Sequence, residues 1–443
     1  MSNELQGYHG SVLNLLINAG VTVGDLIRVI RDGEVFEGVL MPRYELADEN
    51  HIVLKLWNGY NIGIRISDTI LVEKIGEGTK PAYTFSTPPE KSVGLPTVAI
   101  ISTGGTIASR VDYHTGAVRP ALTAGDLASI VPELSEVAEV KAHILFSLLS
   151  ENVYPTHWSR IAEAAAKLIN TGVDGIVICH GTDTLGYTAA ALSFALQNLS
   201  IPVILVGSQR SSDRPSSDAY LNLFNAVFAA GNLPFAGVMV GMHENISDTA
   251  TLLHLGTKVR KCHTSRRDAF RSINASPLAR VEDRKITVFN TSLPPRRKDR
   301  TVELRPNFDD NVALLKFHPG FRPEILSWFV QAGYKGLILE GTGLGHVAMC
   351  LVDEVRKAVE KGCVLAMTSQ CIWGRVNMNV YDSGIYLQRA GVIPLEDMLP
   401  ETALVKMMWC FGQEKERDEV IRLMRKNLAG EISSRTLPLE MGQ

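Results

Sequence analysis

Residues 175–207 read GIVICHGTDTLGYTAAALSFALQNLSIPVILVG, and this stretch decides the fold that we predict. Its two ends, GIVICHG and IPVILVG, are short apolar runs rich in Val and Ile, which is typical of buried strands. The segment between them, TLGYTAAALSFALQNL, has the length and composition of a helix. A strand, a helix and a strand in this order predict a βαβ unit, whose two strands pair in parallel.

The same alternation continues on both sides of this unit. TVAIIS at residues 97–102 and AGVMVGM at residues 236–242 have the pattern of buried strands. Residues 157–172 and 217–232 have the pattern of helices. Repeated βα units predict an α/β fold in which a parallel sheet carries helices on both faces. Because ligands of such sheets bind beyond the carboxyl ends of the strands, we expect the functional site there.

The chain begins with a β-rich module, and two aperiodic stretches separate this module and the α/β regions that follow. Residues 21–75 contain short β-rich runs separated by Asp-Gly and Asn-Gly turn signals, which predict a small barrel or hairpin module. A stretch rich in Gly, Pro, Ser and Thr follows, and a charged, Pro-bearing stretch occurs further on, after the large α/β region. We predict a β-rich N-terminal domain at 1–80, a linker at 81–96, a large α/β domain at 97–295, a linker at 296–310 and a small α/β domain at 311–443.

The composition excludes several classes of protein. The chain has 443 residues, of which 45% are hydrophobic and 21% charged, and its net charge of -3 offers no overall attraction to nucleic acid. The N-terminus lacks a signal-peptide pattern, and no apolar stretch approaches the ~18 residues that cross a bilayer. The six cysteines form no CxxC pair and no zinc-ligand spacing. We therefore expect a soluble cytoplasmic protein with reduced thiols, no membrane contact and no bound metal.

The segment Ser102-Thr103-Gly104-Gly105-Thr106 directly follows the first predicted strand of the large domain. The two glycines allow a sharp turn and can bring backbone N–H groups close to a bound group. The hydroxyl of Thr103 would lie at the carboxyl end of the strand, where a reacting carbonyl could be placed. A plain glycine turn with a threonine as helix cap explains the same residues equally well. A phosphate-binding P-loop is excluded, because GxxxxGK followed by Ser or Thr is absent.

Two further candidates follow other predicted strands of the same domain. Thr182 and Asp183 lie between a predicted strand and a predicted helix, where they could be ordinary helix caps. In a functional interpretation, Asp183 captures an amino group and Thr182 holds or activates a water. Lys261 alone would be a solvated surface charge, but a buried lysine beside a threonine can activate the hydroxyl. Three such signals on loops of one domain support each other.

These residues belong to motifs that resemble a known family. STGGTIAS at residues 102–109 and HGTDT at residues 180–184 resemble signature motifs of bacterial-type L-asparaginases, and Lys261 followed by RDAF at residues 267–270 extends the resemblance. It covers roughly residues 97–410. The resemblance implies a larger domain with a flavodoxin-like parallel sheet, joined to a smaller C-terminal α/β domain. It also implies dimers or tetramers whose sites form between neighbouring protomers.

The resemblance also implies roles for individual residues. Thr103 matches the nucleophile that attacks the side-chain amide, and Thr182 matches the second catalytic threonine. Asp183 matches the aspartate that pairs with Thr182 and binds the substrate amino group, and Lys261 completes that group. The N–H groups of Gly104 and Gly105 would stabilise the oxyanion.

Four more positions match the family less closely. Ser150 and Glu151 fall where the family has a Ser-Gln pair that binds the substrate backbone, so Glu151 is a departure. Tyr113 or its rival Thr115 falls where the family has a mobile lid with a helper residue. His346 falls where the family often has an Asn near the neighbouring protomer's site, although a lone histidine is more often structural.

The β-rich N-terminal module is absent from plain asparaginases. With GDLIRVIRDGEVFEGVLMPRY and TGGTIASRVDYHTGAVRP, it resembles the GatD family of archaeal Glu-tRNA(Gln) amidotransferases. This resemblance implies glutamine hydrolysis to supply ammonia, a GatE-type amidotransferase partner that binds the Glu-tRNA(Gln), and a homodimer of this chain. It implies no cofactor in this chain, with ATP and Mg acting at the partner.

Three other functions are compatible with the sequence to different degrees. A free-standing L-asparaginase would carry the N-terminal module as decoration. An amino-acid sensor on a degenerate scaffold is disfavoured, because Thr103, Thr182, Asp183 and Lys261 are all present. A nucleotide-binding α/β protein is disfavoured by the absence of the GxGxxG and Walker patterns.

Overall fold

The computed structural model describes residues 5, 7–43, 48–56, 61–77, 94–105, 109–111, 118–120, 131–210, 217–289, 293–299, 301–414 and 416–436. The predicted lid residues Tyr113 and Thr115 and most of the predicted linker at 81–96 lie outside this part of the chain. The predicted domain boundaries therefore stay predictions.

The helices of the described residues are α1 (Gly10–Asn18), α2 (Pro155–Asn170), α3 (Leu185–Ala195), α4 (Ala219–Asn232), α5 (Glu324–Gln331), α6 (Val352–Glu360), α7 (Asp382–Arg389), α8 (Pro400–Gln413) and α9 (Arg417–Arg425). The strands are β1 (Asp25–Arg31), β2 (Glu34–Leu40), β3 (His51–Lys55), β4 (Asn61–Arg65), β5 (Leu71–Glu77), β6 (Thr97–Gly104), β7 (Ser109–Val111), β8 (Val118–Pro120), β9 (Glu139–Leu148), β10 (Gly175–Cys179), β11 (Leu196–Gln197), β12 (Pro202–Val206), β13 (Gly237–His243), β14 (Thr251–Leu255), β15 (Val259–Lys261), β16 (Phe270–Ser272), β17 (Ala279–Glu282), β18 (Lys285–Val288), β19 (Glu303–Leu304), β20 (Val312–Lys316), β21 (Gly336–Gly341), β22 (Val364–Ser369) and β23 (Ile393–Pro394).

The N-terminal module is an antiparallel sheet of order β4-β3-β2-β1-β5. Alternate residues of β1 are buried, including Ile27 and Val29, because successive side chains of a strand point to opposite faces. The buried face packs with Val12 and Leu16 of α1 in one apolar cluster. The prediction of a small β-rich N-terminal domain is confirmed.

The large sheet has the order β18-β17-β14-β13-β12-β10-β6-β9. The five strands from β13 to β9 pair in parallel, as the βαβ pattern predicts. The other three, β14, β17 and β18, add antiparallel pairs at one edge, so the sheet as a whole is mixed. The chain reverses directly after β13 without a crossover helix, and a direct reversal gives antiparallel pairing.

Both faces of the parallel part are covered by helices. Val98 and Ile100 of β6 pack in a cluster with α4, whereas Ala99 and Ile101 pack in a cluster with α2 and α3. A strand buried on both faces reads as a continuous apolar run, which explains the TVAIIS pattern. The helix α3 ends at Ala195, earlier than the apolar pattern predicts, because the next two residues pair as a strand with β19.

A second, smaller sheet is fully parallel, with the order β20-β21-β22-β23. The two α/β units share an apolar cluster in which Phe194 of α3 lies 5.9 Å from Trp409 of α8, centroid to centroid. The predicted asparaginase-like arrangement of a larger and a smaller α/β unit is confirmed. No helix among the described residues is long and apolar enough to span a membrane.

The order of the large sheet reverses beside β6. The chain passes from β6 to β9 on one side, and the following strands β10, β12 and β13 lie on the other side. Such a switch point opens a crevice at the carboxyl ends of the two strands that flank it, here β6 and β10. Ser102 pairs with Cys179 at this end, so the segments that begin with Thr103 and His180 leave the sheet side by side.

Candidate active site

Thr103 lies at the carboxyl end of β6 and is almost fully buried, with 1% of its surface exposed. Its hydroxyl donates a hydrogen bond to the Cys179 carbonyl at 2.9 Å, on the neighbouring strand. The hydroxyl is thus held at the switch point and oriented toward backbone.

The two glycines after Thr103 form a turn that other residues could not replace. Gly104 has φ +106° and Gly105 has φ +82°, and residues with a side chain rarely adopt this backbone conformation. A Cβ atom on Gly105 would lie 2.5 Å from the Gly181 nitrogen. The backbone at Gly105, in the first signature motif, thus packs directly against the backbone at Gly181, in the second motif HGTDT. This contact supports the functional interpretation of the turn.

Lys261 contacts two residues of HGTDT at residues 180–184, the second signature motif. Its Nζ donates hydrogen bonds to Thr182 Oγ1 at 2.9 Å and to Asp183 Oδ1 at 2.8 Å. The side chain of Lys261 is 14% exposed and that of Asp183 is 69% exposed. Since an ammonium only donates, the Thr182 hydroxyl keeps its own proton for a further partner, and an alkoxide there would be stabilised. Asp183 offers solvent-facing negative charge for a substrate ammonium.

The position of Lys261 depends on a hairpin that is distant in sequence from its partners. Lys261 ends β15, where it pairs with the buried Phe270 of β16, the last residue of the RDAF motif. It reaches Thr182 across 79 positions of the chain. The RDAF motif therefore supports the strand that carries the lysine.

Ser150 is brought to the same loop. Its carbonyl accepts a hydrogen bond from Thr184 Oγ1 at 2.6 Å, and a Cβ atom on Gly181 would lie 2.8 Å from the Ser150 Cβ. Ser150 is buried, whereas its neighbour Glu151 is exposed. The structure thus places both residues beside the second motif, and their substrate contacts stay predictions.

His180 is a residue that the sequence did not single out. Its ring is fully buried, and burial lowers its pKa from the ordinary 6.5 to about 4. Its Nδ1 lies 2.7 Å from the Gly181 carbonyl, which can only accept, so Nδ1 donates. Its Nε2 must then accept from Thr188 Oγ1 at 2.9 Å, and Thr188 in turn accepts from Trp158 Nε1 at 3.1 Å. A neutral His180 satisfies every partner in this chain.

A third loop, after β12, also reaches the second motif. A Cβ atom on Gly207 would lie 2.8 Å from Thr182 Cγ2. The buried Asp218 carboxylate accepts the backbone N–H groups of Gln209 at 2.9 Å and of Arg210 at 3.0 Å, which fixes the loop. No sequence motif pointed to Asp218, and its signal is only a polar run after a buried strand.

His346 lies in the C-terminal α/β unit. Its Nδ1 is 3.1 Å from Ser383 Oγ, and its ring lies edge-on to Tyr381 at 5.1 Å. These contacts fit the structural interpretation, and a contribution to a neighbouring protomer's site stays a prediction. Within the described part of the chain, no group of three or more His, Cys, Asp or Glu side chains could hold a metal ion.

Family models match almost the whole chain. Residues 97–294 match the model described as Asparaginase, N-terminal, and residues 311–424 match the Glutaminase/Asparaginase C-terminal domain. Residues 21–75 match the GatD N-terminal domain. The three matches follow the order of the β-rich module and the two α/β units.

Relatives with similar sequences share one name, that of the GatD subunit of glutamyl-tRNA(Gln) amidotransferase. The GatD protein of Sulfurisphaera tokodaii is 50% identical over 440 residues, which cover 98% of this chain and 97% of that protein. The GatD protein of Pyrococcus abyssi is 52% identical over 421 residues, which cover 94% of this chain and 96% of that protein.

Two solved L-asparaginases have a fold similar to that of this chain. The thermostable L-asparaginase from Thermococcus kodakarensis has a TM-score of 0.69 at 33% identity, over 76% of this chain and 100% of that chain. L-asparaginase I from Vibrio cholerae has a TM-score of 0.68 at 30% identity, over 76% of this chain and 99% of that chain.

Proposed function

The chain belongs to the GatD family of glutamyl-tRNA(Gln) amidotransferases, and from this we propose that it is the glutaminase component of an enzyme that converts Glu-tRNA(Gln) to Gln-tRNA(Gln). It hydrolyses glutamine through a threonine nucleophile and supplies ammonia to a partner protein. The observation that carries the proposal is the hydrogen-bonded group of Lys261, Thr182 and Asp183 at the switch point, beside the carboxyl end of β6, where Thr103 lies.

Substrate binding uses charge at the exposed end of this group. Asp183 binds the α-amino group of glutamine. Its carboxylate is exposed to solvent on one side and forms an ion pair with Lys261 on the other. Ser150 and Glu151 contact the α-carboxylate and α-amino groups. The side-chain amide then extends toward Thr103, whose strand end lies beside this loop.

Chemistry begins when the Thr103 hydroxyl turns away from the Cys179 carbonyl and attacks the δ-carbonyl of glutamine. Its proton passes, through the Lys261–Thr182–Asp183 group or a lid residue, to the amide nitrogen. The N–H groups of Gly104 and Gly105 stabilise the oxyanion, and each such donor is worth ~3 kcal/mol. The C–N bond breaks, ammonia leaves, and water hydrolyses the glutamyl ester on Thr103.

The rest of the reaction belongs to the assembly. We propose that a GatE-type partner binds Glu-tRNA(Gln) and activates it with ATP and Mg, and that this chain needs no cofactor or metal of its own. We further propose that two copies of this chain associate through their asparaginase-like units in the cytoplasm. The β-rich N-terminal sheet either stabilises the chain or orients the dimer, or it docks the partner or the tRNA.

The test is ammonia release from glutamine and from asparagine, each with and without a partner protein loaded with Glu-tRNA(Gln). We expect weak glutamine hydrolysis by the chain alone and a sharp rise with the loaded partner. The structural similarity to L-asparaginases favours one competing function, a free-standing L-asparaginase. Strong asparagine hydrolysis that is indifferent to the partner would replace our proposal with that function.

A further inference from the structure

The strand that carries Lys261 is bonded to the C-terminal α/β unit just before it reaches the catalytic group. Thr402 of α8 donates a hydrogen bond from Oγ1 to the Thr257 carbonyl at 2.9 Å, in the turn before β15. The next contact is made by Lys258 and the third by Arg260. Lys261 itself then bonds to Thr182. Contacts to the C-terminal unit and contacts to the catalytic group thus follow each other within five residues.

Lys258 makes the more deeply buried of the two ion pairs among these contacts. Its Nζ lies 2.8 Å from Asp397 Oδ2 and donates to the Asp397 carbonyl at 3.0 Å. Lys258 is fully buried and Asp397 is 3% exposed. The other carboxylate oxygen of Asp397 accepts the Ser433 N–H at 2.8 Å. The ion pair is therefore desolvated and supported by further hydrogen bonds, which restrict its geometry.

Arg260, two residues after Lys258, makes a second ion pair with the C-terminal unit. Its Nε lies 3.2 Å from Glu401 Oε1, at the start of α8, and both side chains are partly buried. Successive side chains of a strand point to opposite sides. Within β15, Arg260 therefore faces the C-terminal unit and Lys261 faces the loop that carries Thr182 and Asp183. Lys258, in the turn directly before β15, faces the C-terminal unit through its contact with Asp397.

We propose that Lys258 and Arg260 are positioning residues for the amidohydrolase reaction. By fixing β15 to Asp397 and Glu401 of the C-terminal unit, they hold the Lys261 ammonium at hydrogen-bond distance from Thr182. This inference rests on the proposed function. Apolar residues would secure two packed units at least as well as a buried ion pair, so stability alone does not explain Lys258. A misplacement of ~1 Å at a catalytic group lowers turnover by about a hundredfold.

The primary experiment compares Lys258→Met with a control, Lys406→Met. Lys406 forms an equally buried ion pair with Glu431 at 2.6 Å, and its other hydrogen bonds go to two carbonyls at the end of α9, those of Met424 and Lys426. Ammonia release from glutamine is measured well below each thermal unfolding midpoint. We expect kcat of Lys258→Met to fall by about ten- to a hundredfold, with KM within about twofold of wild type. Lys406→Met should lose comparable thermal stability and keep kcat within about twofold.

Arg260→Gln is the second variant, because its ion pair is partly exposed and its loss should leave the protein folded. We expect kcat to fall by about threefold to tenfold, again with little change in KM. Turnover within twofold of wild type in folded Lys258→Met or Arg260→Gln overturns the inference. So does an equal loss of kcat in Lys406→Met, or a loss that appears only in KM.

Hydrogen–deuterium exchange separates this inference from the proposed function. If the wild-type chain releases no ammonia from glutamine, the proposed function fails, but the position of β15 is still measurable. We expect faster exchange at residues 259–261 in Lys258→Met and wild-type exchange there in Lys406→Met. Unchanged exchange at these residues in Lys258→Met overturns the positioning role whatever the substrate is.

Discussion

Two threonines, Thr103 and Thr182, lie at the carboxyl ends of the neighbouring strands β6 and β10, in the same crevice. Their surroundings differ. Thr103, at the end of β6, is buried and donates its hydroxyl proton to the Cys179 carbonyl. Thr182, after β10, accepts a hydrogen bond from the Lys261 ammonium, which is also paired with Asp183. A carbonyl cannot remove a proton, whereas an ammonium can stabilise an alkoxide.

In the proposed mechanism, this difference separates two tasks. The group around Thr182 is already assembled, so the residues proposed to move protons are pre-organised before substrate arrives. Thr103 lies at the carboxyl end of β6 with its hydroxyl bonded to the Cys179 carbonyl. Under the proposal, its activation depends on the substrate or on a residue of the predicted lid, Tyr113 or Thr115. The assignment of Thr103 as nucleophile stays a prediction that the following experiments address.

The largest effect is expected from Thr103→Ala. Without the nucleophile no ester can form, so kcat for glutamine should fall by about 10⁴-fold or more. Thr106→Ala is the control, because it removes the hydroxyl of another threonine of the same motif, one that the resemblance leaves without a role. A reactive glutamine analogue followed by peptide mass spectrometry should label Thr103. Label on Thr182 would reverse the assignment of the two threonines.

A smaller loss is expected from the group around Thr182. Lys261→Ala and Thr182→Val should each lower kcat by about 10²- to 10³-fold, since both remove the same proton-transfer unit. Residues that act as one unit are not additive, so the double variant should be no more than about threefold worse than either single variant. Additive losses in a double-mutant cycle would show that Lys261 acts independently of Thr182.

The smallest effect concerns stability at low pH, through the histidine beside Thr182. Burial lowers the pKa of His180 from 6.5 to about 4, so the unfolded chain takes up the proton first as the pH falls. The free energy of unfolding should therefore decrease from about pH 6.5 to about pH 4, by roughly 1.4 kcal/mol per pH unit and ~3 kcal/mol in total. Above pH 6.5 this contribution is fully present.

Denaturant unfolding of wild type and His180→Gln across that range provides the measurement. The variant should be less stable at pH 7, and the difference between the two proteins should shrink toward pH 4. A constant difference across the range would mean that the pKa of His180 is the same in the folded and the unfolded state.

Much of the fold and of the site could be predicted from local sequence. The alternating apolar runs indicated the parallel strands, and the motifs indicated Thr103, Thr182, Asp183 and Lys261 as candidates. The antiparallel strands at the sheet edge and the early end of α3 at Ala195 were not predicted. Both depend on pairing with distant strands, and periodicity within a segment carries no information about its partners.

The sequence by itself determined which residues end the strands and which of them bear reactive groups, because strand periodicity and glycine turns are local properties of the backbone. Only the tertiary structure decided that Lys261 bonds to Thr182 across 79 positions and that Gly105 touches Gly181. It also decided that His180 is neutral and that Lys258 pairs with Asp397. Distances, burial and charge pairing arise only when remote segments share one site, and these quantities set the chemistry.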